Sequence, residues 1–147
     1  KDQYLLKEGQ AKLITLTAEK GVLEINFSRI QSLANLDVYL FSRDFEKAKQ
    51  QSKVIYLYFY ATWCPICAAE RPSIFKAFEE MNYDNVIGFE AHFNDGKTIK
   101  EDEELAKELG VAYQHTTIIF DKNGNEAYRS LSRINKDKIK EEIAKLV

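Results

Sequence analysis

The sequence predicts an α/β fold in which helices pack on a central sheet, and three features carry that prediction. Residues 54–60, Val-Ile-Tyr-Leu-Tyr-Phe-Tyr, form an unbroken apolar and aromatic run. A strand with no polar alternation is one covered on both faces. From residue 38 onward the hydrophobic pattern reads β-α-β-α-β-α-β-β-α, the alternation that lays helices against a sheet. Late in the chain, Asp121-Lys122-Asn123-Gly124-Asn125 supplies hairpin-turn chemistry between two strand-like segments.

Composition sets the outer bounds. The chain has 147 residues, 45% hydrophobic and 30% charged, enough for one real core of ordinary soluble composition. The net charge is −2 with both signs spread along the chain, so no basic patch argues for nucleic acid. No apolar run approaches the roughly 20 residues of a membrane span. The sequence opens on Lys1-Asp2-Gln3 without an initiator Met, which leaves a removed signal peptide or membrane anchor open. Two cysteines are too few for a disulfide-stapled scaffold. Both fall in one Cys-x-x-Cys, which points to redox or metal chemistry.

Taken in order, residues 1–10 are a polar arm with one apolar pair, Leu5-Leu6. Residues 11–27 predict a β-hairpin, with strands at 13–16 and 22–27 and turn residues Ala18-Glu19-Lys20-Gly21 between them. Residues 28–35 are ambiguous, and 38–40 suggest a brief strand. A helix is expected over 44–51, with Phe41, Phe45 and Ala48 at helical spacing and Ser42 as N-cap. The central strand at 54–60 is followed by a helix over 68–81, with Ile74, Phe75 and Phe78 on one side and Pro72 inside it as a kink. Residues 85–93 predict a strand. Residues 101–109 predict a helix, Glu-rich early and closed by Gly110. Strands at 117–120 and 126–131 flank the turn. A last helix over 135–146 shows Ile139, Ile143 and Leu146 on its apolar face. The division is an N-terminal extension, 1–37, and a main domain, 38–147.

The cysteines sit where a strand gives way to a helix. Cys64 lies near the helix N-terminus, where unpaired N–H groups and the helix dipole favour a thiolate. Pro65 suits the first turn because its missing N–H is not needed there. Cys67 follows one turn on, on the same side, close enough to close a short disulfide. Pro65 and Ile66 carry no charge, so a depressed Cys64 pKa is expected from the helix terminus alone. Cys64 is the candidate nucleophile and Cys67 the resolving partner. The alternatives are a static disulfide, two buried thiols or a metal site.

Several separated stretches together resemble the thioredoxin superfamily, over roughly residues 38–147. The aromatic strand into Ala61-Thr62-Trp63-Cys64-Pro65-Ile66-Cys67 is similar to its active-site approach. Glu70 and Pro72 reproduce the Glu-x-Pro of the extracytoplasmic TlpA/ResA and cytochrome c maturation type. The run from Leu109-Gly110-Val111 to Thr117-Ile118-Ile119-Phe120-Asp121-Lys122-Asn123-Gly124 resembles the family's second half. The resemblance implies a thioredoxin-like fold, a central mixed sheet flanked by helices, here with an N-terminal β-hairpin extension.

Two departures stand out. The family's cis-proline, which faces the cysteines and offers backbone to substrate, is replaced by Thr116 in the segment His115-Thr116-Thr117. A non-proline cis bond costs about 3–4 kcal/mol, so a trans bond is expected. The family's buried acid on the strand before the motif is replaced by Tyr58.

The surrounding residues are weighed accordingly. Trp63 is expected to cover one side of the site and meet partners. Glu90, on the strand at 86–93, could replace the missing acid as a proton shuttle, but the favoured expectation is a Glu near a strand edge reaching water. Glu70 is either an acid near Cys67 or part of a helix-face salt bridge. His115 either hydrogen-bonds thiolate or substrate, or is a loop histidine without a role. His92 and the tyrosines are expected to be structural.

The function implied is thiol-disulfide exchange on protein substrates through the Cys64–Cys67 couple, as a reductase ahead of an oxidase. No bound cofactor or metal is expected, only the redox-active disulfide itself. An upstream electron donor or acceptor must reset it. The resemblance points to a periplasmic or membrane-anchored, outward-facing setting, with a cytoplasmic one as the alternative. Two other function classes stay open. One is a non-catalytic binding module with this fold. The other is metal or iron–sulfur binding through Cys64, Cys67 and His115, for which no fourth ligand is evident.

Overall fold

The computed structural model describes residues 12–15, 18–19, 22–23 and 41–147. Its elements are β1 (Lys12–Thr15), β2 (Ala18–Glu19), β3 (Val22–Leu23), α1 (Phe41–Gln50), β4 (Val54–Tyr60), α2 (Pro65–Glu80), β5 (Val86–His92), α3 (Lys100–Glu108), β6 (Thr116–Phe120), β7 (Glu126–Ser130) and α4 (Lys136–Ala144). Five strands form a mixed sheet in the order β1-β5-β4-β6-β7. β1 and β4 both run parallel to β5, while β6 is antiparallel to β4 and to β7.

β4 lies at the centre, and all seven of its residues are buried. Its side chains alternate between two cores. Tyr56, Tyr58 and Tyr60 face α2 and α4, together with both cysteines, Ile74, Phe78, Ile139 and Ile143. Ile55, Leu57 and Phe59 face α1 and α3, together with Phe45, Phe89, Leu105, Ile118 and Phe120. In that second core Phe45 meets Phe89 and Phe120 edge-on, at ring-centroid distances of 6.2 and 5.4 Å.

Local chemistry fixes the ends of the elements. Gly110, at φ +66°, closes α3, and Val111 N–H donates back to the Ala106 carbonyl at 2.7 Å. Asp121 Oδ1 accepts the N–H groups of Asn123 and Asn125, both at 2.9 Å, which builds the β6–β7 turn. Asn135 caps α4 by accepting Lys138 N–H at 2.8 Å.

Three expectations need correction. Among the described residues, the hairpin expected over residues 11–27 is a two-residue ladder, β2 with β3, in which Glu19 faces Val22. Its expected first strand, β1, instead joins the main sheet beside β5, with Ile14 opposite Phe89. An open β5 edge offers a full row of backbone partners, whereas a two-strand ribbon alone is marginal. Ser42 lies inside α1, which already begins at Phe41, so it is not the N-cap. Finally, α2 starts at Pro65 rather than residue 68, because the chain can enter helical geometry directly at the proline. The polar arm 1–10, the segment 28–35 and the brief strand at 38–40 fall outside the described residues.

Candidate active site

The site grows from the end of β4. Cys64 is the N-cap of α2, and its Sγ accepts the Cys67 N–H at 3.2 Å. That contact places sulfur where a side-chain oxygen usually caps a helix, at the positive end of the macrodipole. Both cysteines are free thiols, 3% and 1% exposed. The Cys67 thiol lies in hydrogen-bonding reach of Cys64 and of the Tyr58 hydroxyl, and burial pushes its pKa up to about 11. It therefore needs a base before it can act as a nucleophile.

Glu70 provides one. It is fully buried on α2, one turn beyond Cys67. Tyr58 donates its hydroxyl to Glu70 Oε1 at 2.7 Å, and the Ile134 N–H donates to Oε2 at 2.8 Å. Burial raises the Glu70 pKa, against the lowering effect of those two donors and of His115 and Arg133 nearby. The Glu70 carboxylate is thus turned inward to the Tyr58 hydroxyl and the Ile134 N–H, one turn from Cys67, and not to a helix-face partner among the described residues. Tyr58, at the position of the family's missing acid, lies between the Cys67 thiol and the Glu70 carboxylate and contacts both. Its own pKa is raised, mainly by burial and by Glu70.

Glu90 corrects the expectation of a solvated strand-edge residue. It is 0% exposed on β5, opposite Tyr58. Arg71 clamps it with two bonds, Nε to Oε2 at 2.8 Å and Nη2 to Oε1 at 3.1 Å. The Arg71 guanidinium also lies over the Tyr60 and Phe75 rings, 4.4 and 5.0 Å from their centroids. A buried carboxylate is tolerable here because its charge is matched bidentately. Glu90 is therefore held by Arg71, while the Cys67 thiol meets the Tyr58 hydroxyl and, through it, Glu70.

Thr116 and Thr117 are buried strand residues, and their side chains are turned to internal partners. Thr116 Oγ1 donates to the Tyr113 carbonyl at 2.6 Å, and Thr117 Oγ1 shares a 3.2 Å hydrogen bond with the Tyr56 hydroxyl. What this segment can offer a substrate is its backbone and His115. His115 adopts φ +53°, and its Nδ1 has no hydrogen-bond partner among the described residues. No peptide bond among the described residues is cis. Trp63, Ile66 and Tyr113 are the exposed large apolar side chains in the motif and in the 113–116 segment. Among the described residues no three His, Cys, Asp or Glu side chains gather as a metal-holding group, so Cys64, Cys67 and His115 do not assemble into one.

Two contacts at the site have no local signal in the sequence. Tyr58 was legible as a departure but not as a hydrogen-bond bridge. The Asn94-Asp95 pair carries no local motif, yet it holds the motif's leading residues: Asp95 Oδ2 accepts Thr62 N–H and the Asn94 carbonyl accepts Trp63 Nε1–H, both at 2.9 Å. The available signal was the strand order, since parallel neighbours end on the same side of a sheet.

The comparisons with known proteins agree with this fold. Thioredoxin O2 from Arabidopsis thaliana matches with a TM-score of 0.60 at 18% identity, covering 92% of this chain and 95% of that one. MTB dsbF matches at 0.56 and 20%, covering 65% and 82%. A thiol:disulfide interchange protein of the thioredoxin family from Chlorobium tepidum matches at 0.52 and 16%, covering 69% and 83%. These identities establish shared fold only. No curated protein matches the chain in sequence. The thioredoxin-like domain family matches residues 41–146, which hold the central strand, the dithiol helix and the late hairpin, and the chain belongs to that family.

Proposed function

We propose that the protein is a thiol-disulfide oxidoreductase that reduces disulfides in protein substrates through Cys64 and Cys67. The observation that carries the reading is the chain of contacts from the Cys67 thiol through the Tyr58 hydroxyl to the buried Glu70 carboxylate. A buried disulfide or inert thiol pair has no use for a base at that position.

The Cys64 thiolate attacks one sulfur of the substrate disulfide. A mixed disulfide forms and the first substrate thiolate leaves. Cys67 passes its proton to the Tyr58 oxygen as Tyr58 passes its own to Glu70. The Cys67 thiolate then attacks Cys64 sulfur, the second substrate thiolate leaves, and the Cys64–Cys67 disulfide closes. Two electrons have moved from the dithiol to the substrate. An upstream dithiol donor returns them, and no bound cofactor takes part. The Glu70-x-Pro72 pattern supports an outward-facing, extracytoplasmic setting of the TlpA/ResA type.

The direct test is the reduction potential of the pair in defined thiol buffers, followed by the fluorescence of Trp63, the chain's one tryptophan. A value near about −270 mV supports the reductase, and one near about −120 mV reverses the direction to oxidant. No reversible two-electron transition at any poise sinks the reading. Cys64→Ser should abolish turnover of insulin disulfides, and Cys67→Ser should trap mixed disulfides.

A further inference from the structure

Between the end of β5 and the start of α3 lies a buried polar cluster that the thiol chemistry does not use. Its members are Tyr60, His92, Asp95 and Thr98. His92 and the Asp95 carboxylate are almost wholly enclosed. Each polar atom has a partner. His92 Nε2 meets the Tyr60 hydroxyl at 3.3 Å and His92 Nδ1 meets Asp95 Oδ2 at 2.8 Å. The same Oδ2 accepts the Thr62 N–H at 2.9 Å. Oδ1 accepts the Lys97 N–H at 2.9 Å and the Thr98 hydroxyl at 3.1 Å. The Asp95 carboxylate thus receives four hydrogen bonds, about the capacity of its two oxygens.

The bonds trace a closed circuit. Leaving β4 at Tyr60, it crosses to His92 and Asp95 and returns to the chain at Thr62, two residues before the nucleophile. The next residue on each side is tied as well. Asn94 holds φ +53°, and its carbonyl accepts the Trp63 indole N–H at 2.9 Å. Trp63 is 55% exposed, so its ring faces solvent while its one polar atom is fixed. A side chain at such a rim, left untied, would sample several rotamers. None of the atoms in the circuit is a thiol sulfur, so any effect on exchange must pass through the Thr62-Trp63 segment.

We infer that His92 and Asp95 are positioning residues for the exchange reaction, acting through Thr62 and Trp63 to fix the surface on which a protein disulfide docks. The inference rests on the redox reading proposed above. A held Trp63 lowers the ordering cost of protein docking. A small disulfide needs only the sulfur and gains nothing from it. Field effects do not distinguish the two substrates, because the thiols are the same for both. His92, which sequence alone placed among structural residues, sets Asp95: it donates to the oxygen that Thr62 also uses.

The test compares Asp95→Ala, His92→Leu and His92→Asn with the unmodified protein on two substrates, insulin and an aromatic small-molecule disulfide. Loss of one or two such bonds should raise KM for insulin about 5–10-fold in Asp95→Ala and His92→Leu. Their kcat, and their rate with the small disulfide, should stay within about twofold. Exchange of the Trp63 indole proton should quicken at least about tenfold in both. His92→Asn can donate from the place of Nδ1 and should restore most of the KM and of the indole protection. Folded Asp95→Ala and His92→Leu proteins with unchanged KM and unchanged indole exchange overturn the inference. If both variants fail to fold, the unmodified protein decides. Its indole proton should exchange at least about tenfold slower than that of a free tryptophan amide, and exchange at the free rate overturns the clamp. Absence of turnover with either disulfide in the unmodified protein removes the redox reading instead, and the indole measurement still tests the tether.

Discussion

The two faces of the sheet solve the same packing problem with opposite chemistry. Toward α1 and α3 the buried cluster is hydrocarbon: Phe45, Ile55, Leu57, Phe59, Phe89, Ile118 and Phe120. Toward α2 and α4 the same strands present Tyr56, Tyr58 and Tyr60, with Thr117, Glu70 and Glu90 buried among them. The first face holds the sheet together by area and shape, which tolerates no gap. The second keeps buried polar groups in fixed places, which is useful only where something must be oriented or protonated. The thiol pair opens from the second face. The difference shows how one strand, by alternating its side chains, can give stability to one side and chemistry to the other.

Mutations can break that comparison in a definite order of size. Phe89→Ala, on the dry face, should cost about 3–5 kcal/mol of stability. Denaturant unfolding measures it, and exchange activity per folded molecule should not change. A slowed reaction in the folded fraction would join the two faces functionally.

Asp102 sharpens the boundary of the dry face. It sits on the buried side of α3 with Leu105 and Ala106, 2% exposed, and its Oδ1 has no hydrogen-bond partner among the described residues. Burial, with help from Asp95 and Glu101, pushes its pKa up to about 7, against the Ile99 N–H that lowers it. The folded state thus binds this proton more tightly than the unfolded chain. The stability it gives is complete below about pH 4 and is lost as pH rises through about 7, by at most about 4 kcal/mol. Asp102→Asn keeps an acceptor for Ile99 and should flatten that loss, seen as a smaller fall in stability between pH 5 and 8.

On the polar face, Glu70→Gln keeps the shape and an acceptor for Ile134 but removes the base. Resolution of the mixed disulfide should slow about 100-fold, equal to about 2.7 kcal/mol in the barrier, with little change in melting temperature. Trapped mixed disulfide resolved by mass spectrometry would show it. An equal loss of stability and rate would make Glu70 a packing residue. The smallest effect is expected from Thr117→Val, which leaves the buried Tyr56 hydroxyl unpaired and should cost about 1–2 kcal/mol. Adding Tyr56→Phe should recover part of that cost, because the orphaned hydroxyl goes with it.

Legibility in the sequence followed the range of the cause. The Cys64-Pro65-Ile66-Cys67 junction, the Asp121–Asn125 turn and the Gly110 stop are settled by neighbours a few residues away, and they were readable. Composition alone predicts a solvated Glu90, because most glutamates are exposed. Its burial depends on Arg71, which reaches it only after α2 lies on β5. β1 reads as a hairpin strand because the turn residues beside it are local, while its actual partner lies more than seventy residues on.

By itself, then, the amino-acid order determined the elements, the continuous burial of β4 and the position of the dithiol at a helix start. These follow from periodicity, turn chemistry and capping, which act within a turn or two. Tertiary structure alone decided which acid lies buried beside Cys67 and Tyr58, which residues hold Trp63 and which edge β1 completes. Each of those contacts joins side chains or strands distant in sequence. The energy that selects them, burial against pairing of polar groups, does not exist until the sheet has formed and water has left its faces.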